Sequence, residues 1–232
     1  MSAGEKMKEL HSFGESAEMY LKSVAELSVA GEVVPVTTLA EHLSISTVSA
    51  SEMVHRLQAR GLVEHQPYKG VRLTEAGFRE ANGILRRHRL WERFLTEHLQ
   101  LAWDRAHDFA CMLEHATDEA VIEALDSFLD HPPTCPHGNP IPDANGKGAI
   151  PTDRPLSSLA VGEGGIVTRI QNEDSRLLRY LEGHALRPGA RFQILEVGPY
   201  DGTHTLKLET FELMISREVA RHIYVEGDVG DH

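Results

Sequence analysis

The sequence predicts a protein that is mainly α-helical with small β parts, and three observations lead to this fold class. Apolar residues recur at helical spacing along most of the chain up to Asp130. Two short helices followed closely by a hairpin pattern are typical of a winged helix-turn-helix. After a connector rich in proline and glycine, short β segments fit a small β-barrel.

The N-terminal helices follow from apolar spacing and capping residues. A first helix is predicted over residues 16–30, with Ser16 as its N-cap and Gly31 as its stop. Two shorter helices are predicted at residues 37–43 and 47–60, on either side of a polar turn. These two helices would form the helix-turn-helix.

A hairpin and three more helices come next. Residues 62–65, 66–70 and 71–73 have the pattern of strand, turn and strand, and Thr74 starts the following helix. The hairpin would form the wing. Further helices are predicted at residues 78–98, 103–114 and 118–130.

The C-terminal part of the chain has a different composition. Residues 131–155 are rich in proline, glycine and asparagine, which predicts an irregular connector. Short β segments are predicted at residues 165–169, 191–197, 205–208 and 211–215, with one helix at 176–181 among them.

Composition limits the possible functions. The 232 residues suffice for two or three small domains. A cytoplasmic location is expected, because no stretch is long enough to span a membrane and the N-terminus lacks the apolar core of a signal peptide. Two cysteines cannot form a disulfide framework in a chain of this length.

The net charge of −12 argues against general nucleic-acid binding, so DNA binding would need basic groups focused on one face or a bound cation.

One helix carries a set of side chains that bind transition metals. At about 100° per residue, four of them fall within about 100° of arc. They are His107, Cys111, Glu114 and His115. On the preceding helix His88 and Glu92 lie one turn apart. Each residue alone is more often structural, but the combination favours a metal site.

The second helix of the predicted helix-turn-helix has features of a DNA-reading element. It opens with small hydroxylated residues over 46–51, which allow close approach to DNA and can bond phosphates. Arg56 and Arg60 follow, and Lys69 and Arg72 flank the wing. The alternative is that short helix pairs and hairpins occur in many folds.

Two further motifs are interpreted as turns. Cys135 and His137 could form a ligand pair, but their loop setting and the neighbouring prolines favour a structural turn. The glycine-rich run at 162–165 lacks the Lys-Ser/Thr ending of a phosphate-binding loop.

Taken together, these residues resemble the diphtheria toxin repressor family, which includes iron-dependent regulators and manganese transport regulators. The resemblance covers nearly the whole chain. It is carried by residues 18–21, 39–63, 87–90, 107–115 and 137–142. It implies a winged helix-turn-helix DNA-binding domain at 1–82 and a helical metal-binding and dimerisation domain at 83–150. The third implied part is an SH3-like β-barrel at 156–226, similar to the FeoA domain.

The resemblance also implies two metal sites per subunit, for Fe²⁺ or Mn²⁺. The primary, activating site is expected at Met19, Cys111, Glu114 and His115. The ancillary site is expected at His88, Glu92 and His107, with Glu173 or Asp174 as a further ligand from the barrel. The glutamine that iron-type relatives supply from the barrel has no clear counterpart in this sequence.

Contacts to DNA are expected, on the same basis, from the helix-turn-helix and the wing. The residues are Thr38, Ser46, Thr47, Val48, Ser49, Ser51, Glu52, Arg56, Arg60 and Lys69. Glu52 stands where iron-type relatives have a base-reading glutamine. A carboxylate accepts from cytosine N4, so a different operator sequence is expected.

The function that the resemblance implies is metal-dependent transcriptional repression rather than catalysis. A divalent metal would fix a homodimer that binds palindromic operator DNA and controls metal-homeostasis genes. Two alternatives stay open at this point, a metalloenzyme and a metal-binding adaptor that uses the C-terminal barrel. Against an enzyme, nothing marks a substrate pocket, and a methionine ligand suits sensing better than hydrolysis.

Overall fold

The computed structural model describes residues 3–28, 31–148, 151–171, 174–200 and 202–227, with side chains from Gly14 onward. The chain forms two compact units. The first comprises Met1–Arg87 with Pro142–Gly148, and the second comprises His88–Ile141 with Ala149–His232.

The first unit contains the predicted winged helix-turn-helix. Its helices are α1 (Ala3–Leu27), α2 (Val36–His42), α3 (Thr47–Ala59) and the beginning of α4 (Glu75–Glu97). Strands β1 (Val63–Gln66) and β2 (Gly70–Leu73) pair antiparallel as the wing.

Local signals explain where α3 begins and how it packs. The Ser46 side chain accepts a hydrogen bond from the Ser49 backbone N–H at 3.1 Å and so caps the helix. Ala50, Val54 and Leu57 point inward and are buried against α1 and α2. The opposite face of α3 is left exposed.

Backbone hydrogen bonds attach the wing to the segment that precedes α2. Val34 and Val71 exchange two such bonds, both of 2.8 Å. Gly70 makes this close approach possible: it has a φ of +135°, and a Cβ atom there would lie 2.0 Å from the Val34 carbonyl oxygen. The wing is therefore held in a fixed position beside the helix-turn-helix.

The helical part of the second unit consists of the remainder of α4, α5 (Trp103–Ala116) and α6 (Glu119–Phe128). Apolar side chains of these helices form two small clusters. Leu90, Ile122 and Leu125 form one cluster, and Leu95, Ala106 and Ala110 form the other. Small side chains on α5 allow close packing there.

The connector is irregular, as predicted, but it is fixed to a strand. The Ile170 N–H donates to the His137 carbonyl at 2.8 Å, and the Asn139 side-chain amide donates to the Ile170 carbonyl at 2.7 Å. Gly138 has a φ of +83°, and a Cβ atom there would lie 2.0 Å from the Thr168 carbonyl oxygen. The backbone of this segment is therefore held by hydrogen bonds to β4, which is distant in sequence.

The C-terminal part is an antiparallel six-stranded sheet with two short helices. The strands are β3 (Arg154–Pro155), β4 (Gly164–Ile170), β5 (Arg191–Val197), β6 (His204–Lys207), β7 (Glu212–Ile215) and β8 (Ile223–Gly227). The strand order is β3-β8-β4-β5-β6-β7, so β3 and β7 are the edges of an open sheet. The SH3-like character is confirmed, whereas a closed barrel is not observed in the described residues.

Two parts of the sequence prediction were wrong. Helix α1 begins at Ala3, so Ser16 lies inside the helix and does not cap it. The segment before Ser16 is rich in Glu, Lys, Met and Leu, whose helix propensities extend the helix upstream. The prediction also missed α8 (Arg217–His222) and β8, because β8 is short and is defined by pairing with β4.

None of the helices in the described ranges has both the length and the apolarity needed to cross a bilayer.

Replacing Gly70 should destabilise the first unit. In Gly70→Ala the new Cβ meets the Val34 carbonyl, so we expect a loss of about 2 kcal/mol or more in the free energy of unfolding. Gly83→Ala is the control, because Gly83 lies within α4 and a Cβ atom there would meet only the flexible Arg87 side chain, at 3.9 Å, so the variant should gain up to about 1 kcal/mol. Chemical denaturation measures both, and equal effects would contradict the assigned role of Gly70.

Candidate metal centre and nucleic-acid interface

Helices α4 and α5 bring the predicted ligands of the second unit together. The buried His88 and Glu92 lie on α4, and α5 contributes His107, Cys111 and Glu114. The spacings of four and three residues place each set along one face of its helix. Apolar packing of α5 through Ala106 and Ala110 fixes these faces.

Glu92 is at the centre of this arrangement. One of its carboxylate oxygens lies 2.9 Å from His88 Nε2 and 3.0 Å from His107 Nδ1. The other oxygen lies 3.4 Å from Nδ1 of His137, a residue of the connector. Three imidazoles from three segments therefore surround one carboxylate.

His88 joins the centre to a second carboxylate. Its Nδ1 lies 2.5 Å from Glu114 Oε2, while Glu114 Oε1 lies 3.3 Å from His115 Nε2. The buried imidazole of His88 thus lies between Glu92 and Glu114. The two ligand sets that the sequence separated into primary and ancillary sites are in contact.

Both cysteines contribute sulfur atoms to this region. Cys111 Sγ lies 3.6 Å from His107 Nε2 and 4.0 Å from His88 Nδ1, and Cys135 Sγ lies 3.9 Å from His137 Nδ1. The donor atoms of His88, His107 and Cys111 all lie within 4.8 Å of one another. The same holds for Glu92, Cys135 and His137, and this second group is fully buried.

The electrostatics favour a charged carboxylate at the centre. Burial raises the pKa of Glu92, but His88, His137 and the hydrogen bonds from His107 and His137 outweigh it, so the pKa of Glu92 is well below its usual range. An anionic oxygen surrounded by imidazole nitrogens and thiols is a donor set suited to a transition-metal cation. These residues therefore fit such a cation.

The structure adds Cys135 and His137 to the candidate ligands. The sequence favours a structural turn there, and the turn is present, closed by the pairing of Thr134 with Pro140. The same turn directs both side chains towards Glu92. The Cys-x-His spacing was the available signal, but its nearness to Glu92 depends on the tertiary fold.

The remaining predicted ligands have other surroundings. Met19 lies on α1 in the first unit and is 47% exposed. The Asp174 side chain accepts hydrogen bonds from the N–H groups of Arg176 and Leu177 and caps α7 (Ser175–Gly183). Glu173 lies outside the described residues.

Most of the predicted DNA-contacting residues lie at the exposed surface of the first unit. Exposed positions are Thr38 on α2, Lys69 in the wing, and Ser46, Thr47, Val48, Ser49, Glu52, Arg56 and Arg60 on or beside α3. Ser51 is half-buried, and its hydroxyl donates to the Thr47 carbonyl at 2.8 Å. The predicted contact residues on α3 and the wing are therefore accessible to a binding partner.

Helix α7 of the C-terminal part is attached to the helix that carries the ligands. Arg179 Nε and Nη2 donate to Asp104 Oδ2 at 2.9 and 2.5 Å, and Ser175 Oγ donates to Asp108 Oδ1 at 2.8 Å. The hydrogen bond from Arg179 is the main cause of a lowered pKa of Asp104. Asp104 lies in the first turn of α5, one turn before His107.

Family profiles match most of the chain. Residues 12–71 match the DNA-binding N-terminal domain of iron-dependent repressors, and residues 74–143 match their metal-binding and dimerisation domain. Residues 154–227 match the FeoA domain.

Curated relatives are named as the diphtheria toxin repressor or the iron-dependent repressor IdeR. The chain is 35% identical over 145 residues to the diphtheria toxin repressor of Corynebacterium glutamicum, covering 62% of this chain and 64% of that protein. It is 36% identical over 128 residues to the iron-dependent repressor IdeR of Mycobacterium tuberculosis, covering 55% and 56%. The matches thus span less than two thirds of these two proteins.

Solved structures extend the similarity over nearly the full chain. A manganese-dependent transcriptional repressor in complex with manganese is 32% identical, with a TM-score of 0.83, covering 91% of this chain and 99% of that one. The manganese regulator SloR is 33% identical, with a TM-score of 0.80, covering 91% and 98%.

The Asp104–Arg179 pair should make stability depend on pH at the acidic end. The folded-state pKa of Asp104 is lowered, so the pair stabilises the protein fully above the unfolded-state value of about 3.9. This contribution is lost as the pH falls from there through the folded-state pKa. We therefore expect Asp104→Asn to lower the denaturation midpoint by a constant amount above about pH 5 and by less below it.

Denaturation in chelator over a pH series tests this expectation. Glu218→Gln is the control, because Glu218 pairs with Arg221 on an exposed helix surface and should contribute little. A deficit in Asp104→Asn that stays constant down to pH 3 would contradict the assigned cause.

Proposed function

We propose that the chain, which belongs to the diphtheria toxin repressor family of metal-dependent transcriptional repressors, acts as a homodimer that binds operator DNA when it holds a divalent metal. The observation that carries the proposal is the convergence of imidazole, carboxylate and sulfur donors from α4, α5 and the connector around Glu92. The same chain contains a winged helix-turn-helix with its recognition surface exposed. The family consists of repressors, so the metalloenzyme alternative is set aside.

We assign two metal sites per subunit. The primary site would use Met19, Cys111, Glu114 and His115. The ancillary site would use His88, Glu92 and His107, with Cys135 and His137 as additional donors supported by their distances to Glu92. Asp174 and Glu173 are weaker candidates, since the Asp174 carboxylate already caps α7.

The two sites would be linked through His88. Its imidazole contacts Glu92 on one side and Glu114 on the other. Metal binding at either carboxylate would therefore affect the other carboxylate through the same ring. A bound cation would supply the positive charge that these buried carboxylates need. Metal regulates DNA binding if it binds the DNA-competent arrangement of the dimer better than other arrangements.

The target would be a palindromic operator in the cytoplasm. A dimer with two-fold symmetry places two recognition helices about 34–36 Å apart, one turn of DNA. Arg56, Arg60 and Lys69 concentrate positive charge on α3 and the wing of a chain whose net charge is −12. Glu52, exposed on α3, would favour cytosine at the position it reads.

The metal assignment follows ligand chemistry. Thiolate and thioether ligands favour Fe²⁺ over Mn²⁺ at the primary site. Similar proteins are named for both metals: the curated relative IdeR for iron and two solved structures for manganese. We propose activation by Fe²⁺ and Mn²⁺, with a preference for iron at the primary site.

DNA binding should require metal. In an anaerobic gel-shift titration with a duplex selected from a random library, we expect binding with Fe²⁺ or Mn²⁺ and its loss in chelator. Affinity should fall steeply with salt, because phosphate contacts release counterions. Binding at unchanged affinity after thorough chelation would refute the proposal, and activation by Mn²⁺ alone would refute the preference for iron.

Ligand substitutions should separate the two sites. We expect Cys111→Ala, Glu114→Ala or His115→Ala to abolish metal-activated DNA binding, and Glu92→Ala or His88→Ala to weaken it less. Circular dichroism checks that each variant folds. His131→Ala is a matched control, because His131 is exposed and pairs only with Asp126 in the described residues. If the Glu92 variant were the more damaging, the assignment of primary and ancillary sites would be reversed.

A further inference from the structure

The indole of Trp103 joins two parts of the second unit. Trp103 is the first residue of α5, the helix that also carries Cys111, yet its side chain is only 7% exposed and packs in the apolar core of the C-terminal part. In the described part of the chain, the other buried members of that core lie between Leu156 and Val225. The beginning of the ligand-bearing helix is therefore anchored in the C-terminal part.

Helix α7 also holds Trp103 in place. The N-cap of α5 is Ala102, whose side chain cannot accept a hydrogen bond, and the Trp103 N–H donates instead to Glu182 Oε2 at 3.4 Å. Glu182 lies on α7, as does Arg179, which binds Asp104 at the next position of α5. The C-terminal core and α7 together fix the position of the indole.

The indole meets one of the candidate ligands. The rings of Trp103 and His137 lie edge to face, with their centroids 5.0 Å apart and their planes at 86°, which is a preferred geometry for two aromatic rings. His137 is fully buried, and its Nδ1 lies 3.4 Å from Glu92 and 3.9 Å from Cys135 Sγ. An imidazole turned over about its Cβ–Cγ bond would present a carbon atom there instead. The indole packed against the ring hinders that rotation.

We propose that Trp103 is a positioning residue of the metal centre, whose indole holds the His137 imidazole with Nδ1 towards Glu92. This inference rests on the proposed function, since it assumes that His137 binds the metal. A ligand that is oriented before the metal arrives loses less conformational freedom on binding, so the metal is held more tightly. The C-terminal part would thereby strengthen metal binding through a packing contact.

A purely structural role of Trp103 predicts a different behaviour. Loss of a buried tryptophan lowers the stability of any core, but it would not weaken one metal site and spare its neighbour. The two cysteines of the chain allow the two sites to be observed separately, because a thiolate bound to Co²⁺ gives a charge-transfer absorption band. With Cys111→Ala only Cys135 can report, and with Cys135→Ala only Cys111 can.

The probe is Co²⁺, titrated anaerobically into the whole chain carrying Cys111→Ala. We expect a thiolate band from Cys135, and we expect Trp103→Leu in this background to lower the Co²⁺ affinity about tenfold. Trp103→Phe keeps an aromatic ring and should lower the affinity by less than about threefold. In the Cys135→Ala background, Trp103→Leu should change the affinity by less than about twofold, because His137 is not assigned to the primary site.

Phe192→Leu is the matched control. Phe192 is buried in the same core, on β5, and has no ring contact with His137 among the described residues. It should lower the midpoint of thermal unfolding in chelator, as Trp103→Leu does, and leave the Co²⁺ affinity reported by Cys135 unchanged. Circular dichroism checks the fold of each variant. Trp103→Met, which is also not aromatic, takes the place of Trp103→Leu if the latter does not fold.

The outcomes distinguish this inference from the proposed function. Unchanged affinity of Trp103→Leu at the site that Cys135 reports would overturn the role of Trp103 alone, as would an equal loss in Phe192→Leu or at the site that Cys111 reports. A thiolate band in the Cys135→Ala background only would overturn this inference and leave the primary site standing. Absence of a band in both backgrounds would overturn it together with the proposed metal binding.

Discussion

The Glu92 carboxylate is fully buried, and its surroundings determine how the helical part of the second unit is built. An isolated charge at such a place would be very costly, so the protein must supply compensation from elsewhere. The compensation comes from His88 on the same helix, His107 on α5 and His137 on the connector. One buried charge thereby holds together three segments that are distant in sequence. Removing any one imidazole leaves the other two to balance the same carboxylate.

This requirement also explains the structure of the connector. A segment rich in proline and glycine has little internal hydrogen bonding, yet His137 can reach Glu92 only from a defined backbone position. The bonds from Ile170 and Asn139 provide that position, and Gly138 permits the close approach to β4. The C-terminal sheet thus determines a feature of the candidate metal centre, and Asp174, the predicted ligand from this part of the chain, caps α7.

Local chemistry allowed α2, α3 and the wing of the first unit to be predicted closely. The apolar spacing of α3 and the turn residues of the wing each act over a few residues, so the sequence alone contains them. Long-range features were less accessible. Strand β8 exists because β4 pairs with it, and Cys135 is a candidate ligand because the connector folds back onto α4. No spacing along the chain contains that information.

The net charge of −12 conflicts with DNA binding only if charge is counted over the whole molecule. At physiological ionic strength the Debye length is about 8 Å, so a phosphate responds mainly to the charges near it. On α3 and the wing the charged side chains are Arg56, Arg60, Lys69 and Arg72, opposed by Glu52 and Glu64. Elsewhere, the negative charge of Glu92 is buried, where it attracts a small cation and is remote from solvent ions. An acidic chain of this kind can bind a metal cation with one set of residues and a polyanion with another, because the two sets are separated by burial.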